Sequence, residues 1–176
     1  MVKMIFAVEF NTGLIGDKGE LPWKFKEDLK FFRETTMNKL VLCGRSTFDN
    51  IPELPGRSII LCTRDEHIRE KTSKRIDFLV TDIDDFFRTR NFSGIDIYVI
   101  GGAEIYRKVA QYADELIVTA IQTPEGMNFK GDSYIFSFYN EFRLASWGDT
   151  VSCKNLKDGP MKDVYCDLTV QRWVRK

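Results

Sequence analysis

The chain has little of what marks a metal centre, a disulfide scaffold or a membrane anchor. Its 176 residues include one histidine, His67, and four cysteines with neither a CxxC pair nor metal-ligand spacing. At this length and cysteine density we expect buried free thiols rather than a metal site or a disulfide framework. No apolar run reaches membrane-spanning length, and the apolar residues 4–8 are too few for a signal peptide. We therefore expect a cytosolic protein without a bound metal.

An excess of charge of either sign is also missing. The 26 basic and 26 acidic residues cancel, which gives no electrostatic argument for binding nucleic acid or an anionic membrane. Hydrophobic residues make up 43% of the chain and charged residues 30%, as in ordinary folded domains, and we find no repeat, low-complexity tract or linker. We expect one domain over residues 1–176, and a monomer, because no long apolar stripe is exposed.

Short apolar, β-branched runs alternate with helical patterns along the chain. They predict strands at residues 3–10, 39–43, 58–63, 77–80, 96–100, 115–122, 141–147 and 164–172, the last with the period-two alternation of a half-buried antiparallel strand. Helices are predicted at residues 25–37, 46–50, 82–90 and 103–111, with Thr81 as N-cap of the third and Asp84 in reciprocal capping. The order predicts an α/β fold with a mostly parallel central sheet, helices on both faces and a C-terminal antiparallel hairpin.

The most informative motif is Leu-Pro-Trp at residues 21–23, followed five residues later by Asp28. On the predicted helix, Asp28 lies one turn from Phe32, so the acid is on the apolar side. Such an acid is costly without a cationic or hydrogen-bonding partner, which a small, flat, nitrogen-rich ligand would supply. The alternative is a solvated aspartate at the edge of the apolar stripe. The preceding loop, residues 11–20, contains three glycines and either covers a ligand or is a plain connection.

Glycine follows two predicted strands where a helix begins, at Gly44 and at Gly101-Gly102. Glycine permits close approach of a ligand and the first helical turn offers free N–H groups, so the two segments suit a dinucleotide pyrophosphate; a tight turn is the alternative. Arg45 and Thr63-Arg64 form a candidate binding site for a phosphomonoester, which we call the phosphate bed, unless the arginines are surface charges. Arg57, after a Pro-Gly turn, either holds a ligand carboxylate in bidentate fashion or caps a surface turn.

In their order along essentially the whole chain, these motifs resemble dihydrofolate reductase. The segments that carry the resemblance are Ala7, the glycine-rich loop, Leu21-Pro22-Trp23, Asp28 with Phe32, Gly44-Arg45-Ser46-Thr47, Leu54-Pro55-Gly56-Arg57, Thr63-Arg64, residues 99–106 and Ile117-Val118-Thr119. The resemblance implies NADPH-dependent reduction of 7,8-dihydrofolate to 5,6,7,8-tetrahydrofolate, with hydride transfer to C6 and protonation at N5. It also implies a role in one-carbon and thymidylate metabolism, a preference for NADPH over NADH, and antifolate inhibitors as ligands.

The resemblance implies a role for each matching residue. Asp28 would bind the 2-amino group and a ring nitrogen of the pterin with support from Thr119, Trp23 would position an ordered water, and Arg57 would bind the glutamate α-carboxylate. The pterin and aminobenzoyl pocket would be lined by Ile5, Phe32, Ile51, Leu54 and Ile100. NADPH would be held by Ala7, Leu14, Ile15, Gly16, Asp17, Lys18, Gly19, Glu20, Gly44, Arg45, Ser46, Thr47, Thr63, Arg64, Gly101, Gly102, Ala103, Glu104, Ile105 and Tyr106.

The chain departs from the family pattern in four places. The loop before Trp23 is one residue longer than in the familiar bacterial enzyme, Glu20 replaces a small residue, and Ala103 replaces a frequent third glycine. The segment Gly-Asp-Ser at residues 131–133 lacks the usual following proline, which leaves open whether Asp132 is a loop partner.

Two other functions remain open. A pyrimidine reductase of riboflavin synthesis shares this fold but would not need the Asp28 helix or the Arg57 turn. A binding protein with a retained reductase fold would show no turnover. His67 lies in a polar stretch away from the site motifs, so we expect the proton to come from water and not from a histidine.

Overall fold

The computed structural model describes residues 1–89, 92–135 and 138–176. The strands in chain order are β1 (Val2–Glu9), β2 (Leu14–Gly16), β3 (Leu40–Gly44), β4 (Ser58–Cys62), β5 (Phe78–Val80), β6 (Ile97–Gly101), β7 (Glu115–Gln122), β8 (Ser133–Tyr134), β9 (Phe142–Lys154) and β10 (Tyr165–Arg175). The helices are α1 (Lys26–Thr36), α2 (Arg45–Asn50), α3 (Ile68–Lys71), α4 (Ile83–Thr89) and α5 (Ala103–Val109), with 3₁₀ turns at Ala110–Tyr112 and Phe138–Glu141.

Within these residues, eight strands form the main sheet in the order β5-β4-β3-β6-β1-β7-β10-β9. Strands β1 and β3 to β7 pair in parallel, while β10 is antiparallel to both β7 and β9. The predicted mostly parallel sheet with a C-terminal antiparallel hairpin is therefore confirmed. A separate two-stranded sheet joins β2 to β8. Strand β2 lies inside the segment that the sequence predicts as an irregular glycine-rich loop.

Alternation along the central strand β1 divides the core into two layers. Met4, Phe6 and Val8 belong to a buried cluster that includes residues of α4 and α5. Ile5 points to the opposite face and joins a cluster with residues of α1, α2 and α3. Successive side chains of a strand alternate between faces, so β1 anchors helices on both sides of the sheet, as predicted.

Local features differ from the predictions in two places. Asp82, not Thr81, caps α4: its Oδ1 accepts hydrogen bonds from the N–H groups of Asp84 and Asp85, each at 2.9 Å. The Thr81 prediction is wrong, because the aspartate one residue later has the shorter reach to the first turn. Strand β9 continues to Lys154, well beyond the predicted end at residue 147, since β10 pairs with it throughout and its exposed residues carry little apolar signal.

All four cysteines are free, with Cys43, Cys153 and Cys166 buried and Cys62 half-buried. Within the described ranges, no helix is long and apolar enough to cross a membrane.

Candidate active site

A cleft of about 2000 Å³ opens along the carboxyl ends of the parallel strands. One end lies between α1 and the loop of residues 51–57, and the other lies beyond β4 and β5, against α5. Most of the predicted substrate and cofactor residues line it, which places motifs from the whole chain around one cavity. Three do not: Leu14, in β2, is fully buried in the core, the backbone of Asp17 pairs with Glu20, and Gly101 lies beneath the ring of Tyr106.

Asp28 is in the first turn of α1 and is partly exposed to the cleft. Burial raises the pKa of its carboxyl above the usual value, and a hydrogen bond with Thr119 of β7 acts in the opposite direction. In the described residues, no Lys or Arg nitrogen lies within ion-pair distance of Asp28. A half-buried carboxylate without a cationic partner is a marker of a binding or catalytic site.

Trp23 lies beneath the same part of the cleft and is only 2% exposed. Its ring packs edge-on against Phe129, with 5.2 Å between ring centroids. Its indole Nε1 is buried and has no hydrogen-bond partner among the described residues. Because buried N–H groups nearly always have a partner, this one calls for an ordered water or a ligand.

Arg57 closes the other side of this end of the cleft and is 7% exposed. Its Nε donates to the carbonyl of Pro55 at 3.2 Å, and its Nη1 donates to Thr36 Oγ1 at 3.4 Å. Thr36 in turn donates to the carbonyl of Phe32 at 2.8 Å, so the guanidinium is tied to α1. Burial, and then the nearby charge of Arg33, lower the pKa of Arg57. In the part of the chain that the structure describes, no carboxylate is close enough to neutralise it.

Glycines bring the starts of α2 and α5 close together. A Cβ added to Gly44 would lie 2.7 Å from Ile105 Cγ1, and one added to Gly102 would lie 3.2 Å from Thr47 Oγ1. The Gly101-Gly102 peptide is cis. Neither helix has a side-chain N-cap, so the N–H groups of both first turns face the cleft without a side-chain acceptor. These backbone groups are potential donors to an anion.

Charged side chains surround the predicted phosphate bed. Arg45 pairs with two carboxylates, Asp49 at 2.7 Å and Asp65 at 3.4 Å. Thr63 Oγ1 accepts a hydrogen bond from the backbone N–H of Asp65 at 3.2 Å. Arg64 is exposed at the cleft, and the described residues place no carboxylate within 4 Å of it. Sequence reasoning missed Asp65, although it directly follows Thr63-Arg64.

Two contacts fix the loop between β1 and α1. The backbone N–H of Lys18 donates to both carboxylate oxygens of Asp132 at 3.2 Å, and the N–H of Asp132 donates to the carbonyl of Gly16 at 3.2 Å. Asp132 is therefore a loop partner in this structure even without the usual proline.

The loop that joins β9 to β10 adds a second support that the sequence did not predict. Asn155 Oδ1 accepts from the N–H of Lys24 at 2.9 Å, and the N–H of Leu156 donates to the carbonyl of Lys24 at 2.8 Å. Lys157 forms an ion pair with Glu20 at 2.7 Å. These partners are more than 130 residues apart in the chain, so no local pattern could have indicated them.

A mostly parallel sheet with a long cleft at the carboxyl ends of its strands, a half-buried acid at one end and cations at both, is the arrangement in which α/β proteins bind nucleotides and their substrates. The sequence profile described as "Dihydrofolate reductase" matches residues 1–172. Over 143 residues the chain is 34% identical to the dihydrofolate reductase of Lactococcus lactis subsp. lactis (strain IL1403), covering 78% of this chain and 81% of that one. Over 146 residues it is 30% identical to the enzyme of Mycoplasma pneumoniae, covering 82% and 88%. The chain belongs to the dihydrofolate reductase family.

A solved structure agrees at the level of the fold. The chain superposes on a dihydrofolate reductase from Enterococcus faecalis, described as complexed with NADP(H) and RAB-propyl, with a TM-score of 0.77 and 22% identity. The match covers 100% of this chain and 96% of that one. Family membership sets aside the pyrimidine reductase alternative that the sequence leaves open.

Proposed function

We propose that this protein reduces 7,8-dihydrofolate to 5,6,7,8-tetrahydrofolate with NADPH, by hydride transfer to C6 of the pterin and protonation at N5. The observation that carries the proposal is Asp28, a half-buried acid that faces the cleft without a cationic partner among the described residues. A pterin offers the matching groups, since its 2-amino group and adjacent ring nitrogen can donate to one carboxylate. Thr119, which already bonds to Asp28, would support the same end of the ring.

The rest of the substrate would follow the cleft away from Asp28. Apolar side chains that line this end suit the flat pterin and aminobenzoyl rings; they are Ile5, Phe32, Ile51, Leu54 and Ile100. Arg57 would bind the α-carboxylate of the glutamate, because it is a buried cation with no neutralising carboxylate nearby. A planar guanidinium matches the two oxygens of a carboxylate, which favours this role over that of a surface cap.

The other half of the cleft fits a dinucleotide. Gly44 and Gly102 allow the starts of α2 and α5 to approach each other, because a Cβ at either position would crowd Ile105 or Thr47, and neither helix has a side-chain N-cap. The pyrophosphate would lie against Gly44 to Thr47 and Gly102 to Tyr106, and the 2′-phosphate against Arg45, Thr63 and Arg64. Ala7 and the loop from Ile15 to Glu20 would cover the nicotinamide. NADPH, when bound, supplies the hydride from C4 of the reduced nicotinamide.

The chain's own part in catalysis would be orientation, exclusion of water and stabilisation of charge. His67 is exposed and contacts Glu70 at 3.3 Å, so the one histidine of the sequence is not a general acid here. A water held by the unpartnered indole N–H of Trp23 would lie next to Asp28 and the pterin. Anionic Asp28 would favour the protonated N5 and so promote proton transfer from water.

We place this activity in one-carbon and thymidylate metabolism, in the cytoplasm, and in a monomer that antifolate inhibitors would also occupy. The free state of all four cysteines supports a reducing compartment. Antifolates that carry a diaminopyrimidine or a pteridine ring would meet Asp28 in the same way as the substrate.

A spectrophotometric assay tests the proposed reaction. We expect the absorbance of NADPH to fall when dihydrofolate is added, and to stay constant without substrate or with a pyrimidine substrate of riboflavin synthesis. If NADPH is oxidised no faster with dihydrofolate than without substrate, the proposal is contradicted. If NADPH is oxidised faster with the pyrimidine than with dihydrofolate, a pyrimidine reductase activity replaces it.

A further inference from the structure

Arg45 is not free to receive a phosphate in this structure. Its Nε donates to Asp49 Oδ2 at 2.7 Å, and its Nη1 donates to Asp65 Oδ2 at 3.4 Å. Two carboxylates therefore compensate one guanidinium. Any anionic ligand group that binds to Arg45 has to share it with these carboxylates or displace them.

The two carboxylates are held differently. Asp49 lies one turn along α2 from Arg45 and is 47% exposed, so it can move away at little cost. Asp65 is only 29% exposed. Both of its oxygens accept from Lys71 Nζ, at 3.1 and 2.9 Å, and its Oδ1 also accepts from the backbone N–H of His67 at 3.2 Å. Lys71 also holds the pKa of Asp65 below its usual value, and the contacts with Lys71 and His67 keep the carboxylate in place.

Asp65 also belongs to the same loop as the other members of the phosphate bed. It directly follows Thr63 and Arg64, and its N–H donates to Thr63 Oγ1 at 3.2 Å. A phosphate that contacts Arg45, Thr63 and Arg64 together would come close to the Asp65 carboxylate. A phosphomonoester carries a charge of about −1.5 to −2 near pH 7 and is repelled by it. A ribose 2′-hydroxyl is neutral and can donate a hydrogen bond to a carboxylate, the arrangement by which many dinucleotide sites select NAD.

We propose that Asp65 sets the selectivity of this site between a cofactor with a 2′-phosphate and one with a 2′-hydroxyl, by competing with the phosphate for Arg45. The inference rests on the proposed position of the cofactor. Asp65 reduces the preference for NADPH that Arg45, Thr63 and Arg64 would otherwise give. In this role Asp65 is a specificity residue and takes no part in the chemistry.

Binding of two nucleotides that differ only in the 2′-phosphate tests the proposal without catalysis. We would measure Kd by calorimetry for 2′,5′-ADP and for 5′-ADP, with the unmodified protein and with Asp65→Asn. We expect Asp65→Asn to tighten binding of 2′,5′-ADP about fivefold at low salt, with a smaller gain at high salt, and to leave 5′-ADP no tighter than before. Glu66→Gln is the matched control, because it removes the same charge from the next, exposed residue.

Each outcome decides between explanations. Unchanged or weaker binding of 2′,5′-ADP by Asp65→Asn overturns the proposal, and so does equal tightening for both nucleotides or the same gain with Glu66→Gln. If Asp65→Asn melts well below the unmodified protein, Asp65→Ser repeats the test with a hydroxyl that can still accept from His67. Failure of the unmodified protein to bind either nucleotide would count against the proposed cofactor site. If the unmodified protein binds the nucleotides but the Asp65 variants do not bind 2′,5′-ADP more tightly, the proposed role of Asp65 is wrong and the proposed cofactor site is unaffected.

Discussion

The two ends of the cleft differ in whether their charged side chains are paired with groups of opposite charge. At the end assigned to the substrate, Asp28 is half-buried and Arg57 is buried, and neither has a counter-ion among the described residues. At the end assigned to the 2′-phosphate, Arg45 is paired twice and Glu104 is paired with Lys108 at 3.1 Å. The first end holds unsatisfied charge that only a ligand of complementary charge can meet. At the second end the described residues place no carboxylate within 4 Å of Arg64, while Arg45 is already paired and binds a ligand anion by exchanging one partner for another.

This difference has consequences for energy and for selectivity. Unpaired charges that are partly buried lower the stability of the free protein but make ligand recognition strict, because nothing else satisfies them. A cation that is already paired lowers the stability of the free protein little. When a ligand binds to it, part of the binding free energy of the new contact is offset by the loss of the contact that it replaces. We therefore expect changes at the substrate end to have larger effects than changes at the phosphate end.

The largest effect is expected from removing the charge at the substrate end. Asp28→Asn keeps the size of the side chain but cannot favour protonation of N5, so we expect turnover at neutral pH to fall by about two orders of magnitude or more. The deficit should shrink at acidic pH, where solvent protonates the pterin without help. A pH profile of kcat for both proteins measures this, and near-native turnover at neutral pH would contradict the assignment of Asp28.

The same substitution should stabilise the folded protein. Burial raises the pKa of Asp28 above its usual 3.8, so the folded state binds the proton more tightly than the unfolded chain. The contribution of this carboxyl to stability is therefore fully present below the unfolded-state pKa and is lost as the pH rises through the folded-state pKa. Asparagine stays neutral, so at pH 7 we expect Asp28→Asn to raise the free energy of unfolding by about 1–3 kcal/mol.

Urea unfolding at pH 7 and again in acid measures the change in the free energy of unfolding that Asp28→Asn causes. The gain should disappear in acid, where both proteins are neutral at residue 28. Glu27→Gln is the control, because Glu27 is an exposed acid in the same helical turn. Equal stabilisation by Glu27→Gln, or no gain in stability from Asp28→Asn, would show that the charge of Asp28 does not destabilise the folded protein.

A smaller effect is expected at Arg57. Arg57→Lys keeps the charge but loses the planar fork, so affinity for dihydrofolate should fall about tenfold. A pteridine that lacks the glutamate should bind equally to both proteins. Equilibrium binding of the two ligands to the two proteins measures this, and a comparable loss with the truncated ligand would mean that Arg57 acts through its contact with Thr36 and α1.

The sequence was sufficient for the features that depend on neighbours in the chain. The apolar runs predicted β7 with its observed limits at Glu115 and Gln122. Helical spacing placed Asp28 one turn from Phe32. Alternation predicted the faces of β10 only near its start, because Thr169 and Gln171, which it places on the exposed face, are buried. The glycines where β3 and β6 end were also predictable, because a tight strand-to-helix turn has a local sequence pattern.

The partners of the charged groups could not be predicted from the sequence. The spacing of 20 residues between Arg45 and Asp65 has no periodicity, and the capping role of Asp82 competes with Thr81 on equal local terms. The support of Lys24 by Asn155 depends on how a hairpin at the far edge of the sheet folds back. Such pairs follow from the assembled sheet and not from any segment of it.

The position of β1 sets the order in which a newly made chain can complete its cleft. The strand is made before its hydrogen-bonding neighbours, β6 and β7, at residues 97–101 and 115–122. The loop after β1 receives its last support from Asn155 to Lys157. At a translation rate of about 5–20 residues per second, several seconds separate the emergence of Asp28 from that of the residues that enclose it. A ribosome-bound chain therefore carries β1 without its sheet neighbours until β6 and β7 have been made, and a ligand can stabilise the complete cleft only after residues 155–157 have followed.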